Sequence, residues 1–221
     1  VGDEAGTAIT TGDNNVCVGT YAGDAITTSI GNTLIGYGAG RGITTSTGEN
    51  VCVGQSAGFA MTTGTQNVLI GDNAGASAAI TGSQNTVVGD NAGYALTSGA
   101  NNVLIGATGG DAITTGANNV FVGYLAGTTT TTSAENTAVG DSSFALNTTG
   151  AYNTAIGRNA LAANTTADQN VAVGRLSLYG NTTGASNVAV GSSALQANTT
   201  GYENIGIGQG VLVGNTEGFR N

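Results

Sequence analysis

Apolar and polar positions recur along this chain in one short phrase: an Asn, three residues of which the last is always Val or Ile, then a Gly. Ten of the twelve spacings between these Asn residues are 17 residues, and the two that follow Asn32 and Asn67 are 18. A fixed period decides the fold before any single residue does. The chain is therefore predicted to be a single repeat array over 1–221, with about 13 coils that begin at Asn15, Asn32, Asn50, Asn67, Asn85, Asn102, Asn119, Asn136, Asn153, Asn170, Asn187, Asn204 and Asn221.

Each unit contains two short apolar segments, N-V-x-V-G and I-T-T-G, separated by small and polar residues. Seventeen residues are too few for a helical-hairpin repeat. The β-branched residues favour strands, and Gly and Asn suit sharp corners because both tolerate positive φ. We therefore predict an all-β, parallel β-solenoid (β-roll), with both segments as strands and successive coils ~4.8 Å apart.

Alternation along the strand N-V-x-V-G separates two faces, with the Asn counted as position one. Position four is always Val or Ile, so we expect it to fill the lumen of the coil: Val18, Ile35, Val53, Ile70, Val88, Ile105, Val122, Val139, Ile156, Val173, Val190 and Ile207. Position three is also apolar, and a strand that is apolar on both faces is buried on both. We expect position three to pack against other copies of the chain, most simply in a homotrimer: Cys17, Leu34, Cys52, Leu69, Val87, Leu104, Phe121, Ala138, Ala155, Ala172 and Ala189.

The consensus sequence of the repeat changes at Asn136. Units in 1–135 read A-G-x-A-I-T-T-G (the first repeat type), and units in 136–221 read A-L-x-x-N-T-T-G (the second repeat type). Position three shrinks to Ala at the same point, and a large residue appears at position nine: Phe144, Leu161, Leu178, Leu195 and Leu212. Cores tolerate such redistribution when total volume is kept. We predict that positions three, nine and twelve compete for related space along a shared backbone path.

The segments N-T-A-I-G-R-N-A-L-A-A-N-T-T (153–166) and N-V-A-V-G-S-S-A-L-Q-A-N-T-T-G (187–201) resemble repeats of phage and environmental viral tail-fibre proteins. They are also similar to the N-x-V-A-I-G head repeats of trimeric autotransporter adhesins, a left-handed parallel β-roll. The resemblance implies a homotrimer on a virion or cell surface that serves attachment, with a host-surface glycan or receptor as a further partner. The 17-residue period is longer than that of the adhesin heads, and neither a coiled-coil stalk nor a membrane anchor is visible.

Charge narrows the classes of partner. Four Arg stand against 13 acidic residues, for a net charge of −9, and there is no His. Such a chain lacks the basic patch that nucleic acid or an anionic membrane surface requires. No apolar run approaches ~18 residues, so no membrane insertion is expected. Val1 begins inside a motif, which suggests a fragment of a longer array.

The cysteines and carboxylates are the candidates for chemistry. Cys17 and Cys52 lie two coils apart, ~9–10 Å by strand spacing, which is beyond disulfide reach; we interpret them as small buried apolar residues, with an intermolecular bridge as the alternative. Asp72 and Asp90 share position six on adjacent coils, where they would recruit a cation, act as a catalytic pair or remain solvated. Without His, catalytic triads and most zinc sites are excluded. We expect a non-enzymatic protein without cofactors.

Threonine pairs at positions thirteen and fourteen recur in nearly every unit, as in Thr10/Thr11 and Thr199/Thr200. An outward Thr column would suit an ice-binding solenoid, which is the alternative function, whereas strand propensity and side-chain ladders explain the Thr without a ligand. Position twelve of the second repeat type opens an N-T-T sequon, and its regular recurrence favours an Asn ladder over glycosylation: Asn147, Asn164, Asn181 and Asn198. The seven Tyr lie at varied non-core positions, where exposed rings can stack on glycans.

Overall fold

A computed structural model describes residues 1–45 and 48–221 of the chain. It confirms an all-β parallel β-solenoid of about 11 turns with a 17-residue period, and no helix occurs in the described residues. The 13 coils expected from the Asn spacing are not confirmed, because Asn221 is the last residue and no strand follows it. The chain forms two compact units, Val1–Thr115 and Gly116–Asn221.

Each of the two compact units contributes six strands of three residues to the described part of the chain. The first unit holds β1 (Val16–Val18), β2 (Thr33–Ile35), β3 (Val51–Val53), β4 (Val68–Ile70), β5 (Thr86–Val88) and β6 (Val103–Ile105). The second unit holds β7 (Val120–Val122), β8 (Thr137–Val139), β9 (Thr154–Ile156), β10 (Val171–Val173), β11 (Val188–Val190) and β12 (Ile205–Ile207). Consecutive strands within a unit pair in parallel, with equivalent positions of the repeat side by side, as Cys17 beside Leu34 and Ala172 beside Ala189.

The change of repeat type at Asn136 falls inside the second unit. Strand β7 belongs to the first repeat type and β8 to the second, and they pair in the usual register, with Phe121 beside Ala138. The backbone at position nine is left-handed in both types, with φ of 57° at Gly23 and 48° at Leu178. The predicted common backbone path is confirmed.

The assignment of the two strand faces was wrong. Position three points into the lumen, and its side chains are fully buried at Leu34, Cys52, Leu69, Val87, Leu104, Phe121, Ala138, Ala155, Ala172 and Ala189, with Cys17 partly buried. Position four points outward and is partly or largely exposed at Val18, Ile35, Val53, Ile70, Val88, Ile105, Val122, Val139, Ile156, Val173, Val190 and Ile207. Exposure at position four reaches 69% at Ile207.

The contacts around Gly23 explain why position three is inside. A Cβ atom at Gly23, position nine, would lie 2.7 Å from Cδ1 of Leu34, 2.9 Å from Cδ1 of Ile26 and 3.1 Å from Sγ of Cys17. The side chains at positions three and twelve therefore fill the space into which a larger residue at position nine would project. The predicted competition among these three positions is confirmed, and it takes place in the lumen.

The second repeat type fills the same lumen differently. Leu178 at position nine is buried and replaces the volume that Ala172 gives up at position three. Position twelve becomes an Asn, and these residues form a buried ladder: Nδ2 of Asn164 donates to Oδ1 of Asn147 at 3.0 Å, and Asn181 to Asn164 at 3.1 Å. Burial of amides is tolerated because each is hydrogen-bonded.

The I-T-T-G segments form no strand in the described residues, contrary to expectation. Both backbone N–H groups of Thr27 and Thr28 donate to the carbonyl of Thr44, at 3.0 and 3.4 Å, and Oγ1 of Thr27 donates to the same oxygen at 3.2 Å. Convergence of consecutive N–H groups on one acceptor breaks the alternation that a strand requires. This side of the coil is held by a bifurcated ladder.

The anchoring Asn residues form a second buried ladder beside the strands. At Asn50, the backbone N–H and Nδ2 both donate to Oδ1 of Asn32, at 3.2 and 3.1 Å, and Nδ2 also donates to the carbonyl of Gly64 in the same coil at 3.0 Å. One side chain thus joins two coils and closes its own coil, which explains why the repeat is anchored on Asn.

Candidate functional site

The strands of each compact unit share one outward face, and we call it the strand face. It consists of two columns, positions two and four. Position four comprises the residues named above, and position two comprises Val16, Thr33, Val51, Val68, Thr86, Val103, Val120, Thr137, Thr154, Val171, Val188 and Ile205. Every residue in both columns is Val, Ile or Thr, so the face carries no charge.

The backbone holds the strand face rigidly in register. The N–H of Val16 donates to the carbonyl of Asn32 at 2.8 Å, and the N–H of Gly36 donates to the carbonyl of Val18 at 2.8 Å. Equivalent residues therefore repeat at one coil spacing, ~4.8 Å. β-Branched side chains are stiff at χ1, so the face presents an ordered array of Val, Ile and Thr side chains.

A Gly corner closes the strand face along one edge. Position five has φ between 127° and 145° throughout, as at Gly19 and Gly123. A Cβ atom on Gly89 would lie 2.5 Å from the carbonyl oxygen of Gly106 in the next coil. Only Gly fits this conformation at this spacing.

The two cysteines lie in the lumen below this face. Both are free thiols, and Leu34 separates them in the sheet. Burial raises the pKa of the Cys52 thiol to about 12 and also raises the pKa of Cys17, partly offset by the N-terminal ammonium. The interpretation of Cys52 as a small buried apolar residue is confirmed.

The acidic pair Asp72 and Asp90 lies at exposed corners of adjacent coils. The N–H of Asn91 donates to the carbonyl of Asp72 at 2.9 Å, and Nδ2 of Asn91 donates to Oδ1 of Asp90 at 2.9 Å. Within 1–45 and 48–221, no group of three or more His, Cys, Asp or Glu side chains could hold a metal ion. Only the carboxylates of Asp72 and Asp90 would be available to bind a cation in this part of the described chain, so cation binding stays a prediction.

The polar columns are largely engaged within the fold. Hydroxyls at position thirteen donate to carbonyls of the next coil, as from Thr148 to Thr165 at 3.0 Å and from Thr182 to Thr199 at 3.0 Å. The Thr column at position fourteen is exposed, and position thirteen is also exposed at Thr10, Thr44 and Thr148, so the ice-binding hypothesis stays a prediction. The sequon asparagines Asn147, Asn164, Asn181 and Asn198 are fully buried in their ladder and inaccessible to glycosylation in the folded chain.

Sequence reasoning missed one cluster. Tyr21 and Tyr37, which looked like scattered residues, meet edge to face with ring centroids 5.8 Å apart. The guanidinium of Arg41 lies over the Tyr21 ring at 4.6 Å and donates to Asp24 at 3.0 Å. The signal was available in the spacing, because Asp24 and Arg41 both occupy position ten.

No helix in the described residues has the length and apolar character needed to cross a membrane. Comparison of the chain with protein-family models, with curated proteins and with solved structures finds no match.

Proposed function

We propose that this chain is a non-catalytic structural shaft or head of a trimeric surface fibre or adhesin, and that three parallel copies meet through their strand faces. The observation that carries the proposal is the strand face itself: in each compact unit, two columns of Val, Ile and Thr side chains remain partly or largely exposed. Parallel sheets normally have both faces covered. Contiguous exposed apolar surface of this kind typically marks an interaction site.

Charge supports a second copy as the occupant. All 13 acidic residues and all four Arg lie away from positions two and four. Copies can therefore approach through this face without bringing like charges together or burying a charge. The net charge of −9 on the remaining surface would keep separate assemblies apart. An array with a fixed repeat also matches itself at the same height when three chains run in parallel.

The hydrogen-bonded contacts between successive coils support a mechanical role. Asn ladders, bifurcated Thr ladders and close Gly corners bond each coil to its neighbours. Such a solenoid derives its stability from nearest-neighbour stacking, which suits an element that spans distance and resists unfolding.

The resemblance of 153–166 and 187–201 to tail-fibre and adhesin repeats agrees with this function and suggests its setting. We place the protein outside the cell, on a virion or cell surface, with itself as the main partner and a host-surface glycan or receptor as a further one. Neither nucleic acid nor membrane insertion is part of the proposal.

Site-directed cross-linking tests which face the copies share. In a background with Cys17→Ala and Cys52→Ala, one variant carries Val88→Cys on the strand face and the matched variant carries Ser98→Cys on an exposed side of the same coil. A short bismaleimide is expected to link Val88→Cys chains covalently and to leave Ser98→Cys chains single. Equal linking of both variants, or linking of Ser98→Cys alone, would reject the strand face as the interface.

A further inference from the structure

Three side chains at position ten line up across the first three strand-bearing coils: Asp24, Arg41 and Phe59. They border an open recess of about 520 Å³, which we call the Arg41 recess, whose floor is formed by the small residues Ala25, Gly42 and Ala60. The recess lies entirely within the first unit, away from positions two and four.

Arg41 is held on three sides. Its Nε donates to Oδ2 of Asp24 at 3.0 Å, and its Cζ lies 4.6 Å from the ring centre of Tyr21 and 5.6 Å from that of Phe59. The side chain remains 39% exposed, whereas that of Asp24 is 14% exposed. A guanidinium carries five N–H donors, and within the described residues its only hydrogen bond is the one from Nε to Asp24. The recess therefore presents oriented donors beside a carboxylate.

Glycines shape the recess. A Cβ atom on Gly38 would lie 3.0 Å from Cδ2 of Phe59, and one on Gly42 would lie 2.7 Å from the carbonyl oxygen of Met61. The first close approach lets the Phe59 ring lie against the backbone at Gly38. The second leaves no room for a side chain at position 42, so the recess is not filled there. In the other coils of the first repeat type, position ten carries neither Arg nor Phe, so the recess is a local departure from the repeat.

We propose that the Arg41 recess binds one pyranose ring of a saccharide. A pyranose offers an apolar C–H surface, which packs against aromatic and Ala side chains, and an edge of vicinal hydroxyls, which both donate and accept hydrogen bonds. Phe59, Ala25 and Ala60 supply the apolar contact. Arg41 supplies donors and Asp24 supplies an acceptor, which is the mixed polar set that orients a ligand in a mainly apolar site.

A neutral sugar fits the charges better than an anion does. Arg41 is already neutralised by Asp24 at 3.0 Å, and the chain carries a net charge of −9. A phosphate or sulfate would meet the Asp24 carboxylate within the same recess. The proposal deepens the attachment function above, on which it rests for its biological meaning, by naming the class of receptor that this unit would contact.

Saturation-transfer difference NMR on the full chain tests the proposal with the methyl pyranosides of glucose, galactose, mannose and N-acetylglucosamine, and with inorganic sulfate as competitor. We expect at least one pyranoside to give a saturable signal that sulfate leaves unchanged. Phe59→Ala and Asp24→Asn are each expected to weaken that binding about tenfold or more. Tyr94→Ala, which removes an exposed aromatic from position ten outside the recess, is the matched control and should bind as the parent chain does.

Absence of signal for every pyranoside would overturn the proposal, as would full binding by both Phe59→Ala and Asp24→Asn, or displacement of the sugar by sulfate. Circular dichroism of each variant separates loss of binding from loss of fold. The molar mass of the same samples separates the two proposals: binding by single chains would reject the trimer alone, and trimers without binding would reject the recess alone.

Discussion

At the scale of single residues, Cys52 shows how the lumen changes a side chain's chemistry. It is fully buried between Leu34 and Leu69 in the sheet, and burial raises the pKa of its thiol from 9.0 to about 12. Desolvation of the buried thiol is the cause of the shift.

This shift predicts a loss of stability at high pH. The folded pKa of Cys52 lies above its unfolded value, so its contribution to the free energy of unfolding is complete below pH 9.0 and is lost as pH rises from there towards about 12. Urea unfolding at pH 8 and at pH 10.5 should show this loss in the parent chain, and Cys52→Ala should reduce it. Ala already serves at position three in the second repeat type. An unchanged pH dependence in Cys52→Ala would contradict the assignment.

At the scale of the coil, the two repeat types are alternative solutions for one lumen. In the first type Leu, Phe, Val or Cys at position three fills the space and position nine is Gly. In the second type Ala or Gly at position three makes room for Leu or Phe at position nine. The second solution holds a bulky residue such as Leu195 at φ 51°, a strained conformation that buried packing offsets.

A mutant cycle around Gly93 tests this exchange. A Cβ atom there would lie 3.0 Å from Cδ1 of Leu104 and 3.3 Å from Cγ1 of Val87, so Gly93→Leu alone should lower the free energy of unfolding by about 1–3 kcal/mol. Val87→Ala and Leu104→Ala should cost less in the Gly93→Leu background than in the parent chain, with a favourable coupling of about 1 kcal/mol or more. Chemical denaturation of the single, double and triple variants measures the coupling. Simple additivity would show that the positions do not share space.

The period, the parallel coils and the exchange among positions three, nine and twelve could all be predicted from the sequence, because each leaves a repeating mark. The inward face could not be taken from alternation alone, since Leu34 and Ile35 are equally apolar and alternation separates faces without ranking them. The decisive signal was the exchange itself: a position that trades volume with Gly23 and Ile26 must share their lumen. The I-T-T-G segment was misjudged because its Thr hydroxyls and N–H groups converge on one carbonyl, which β-propensity does not reveal.

The Arg41 recess could be found only in part. The 17- and 18-residue spacings stack Asp24, Arg41 and Phe59 in one column, and that much follows from the period. Tyr21, at position seven with φ of 60°, lies with its ring over the guanidinium of Arg41. Local backbone geometry of this kind is not written in the apolar pattern.

At the scale of the whole molecule, the central question is whether the strand face joins copies of the chain. A charge introduced into a buried apolar interface without a partner costs several kcal/mol, whereas the same charge on an exposed Thr or Ser side costs little. The chain offers matched positions for this comparison: Val88 and Val139 on the strand face, and Ser98 and Thr149 on an exposed side of the same two coils.

Sedimentation equilibrium of three proteins tests this claim most directly. The parent chain and the variant with Ser98→Asp and Thr149→Asp are predicted to have three times the chain mass of 21.3 kDa. The variant with Val88→Asp and Val139→Asp is predicted to sediment as a single chain that keeps its β-rich circular dichroism. A parent chain of 21.3 kDa, or a strand-face variant that remains trimeric, would contradict assembly through the strand face.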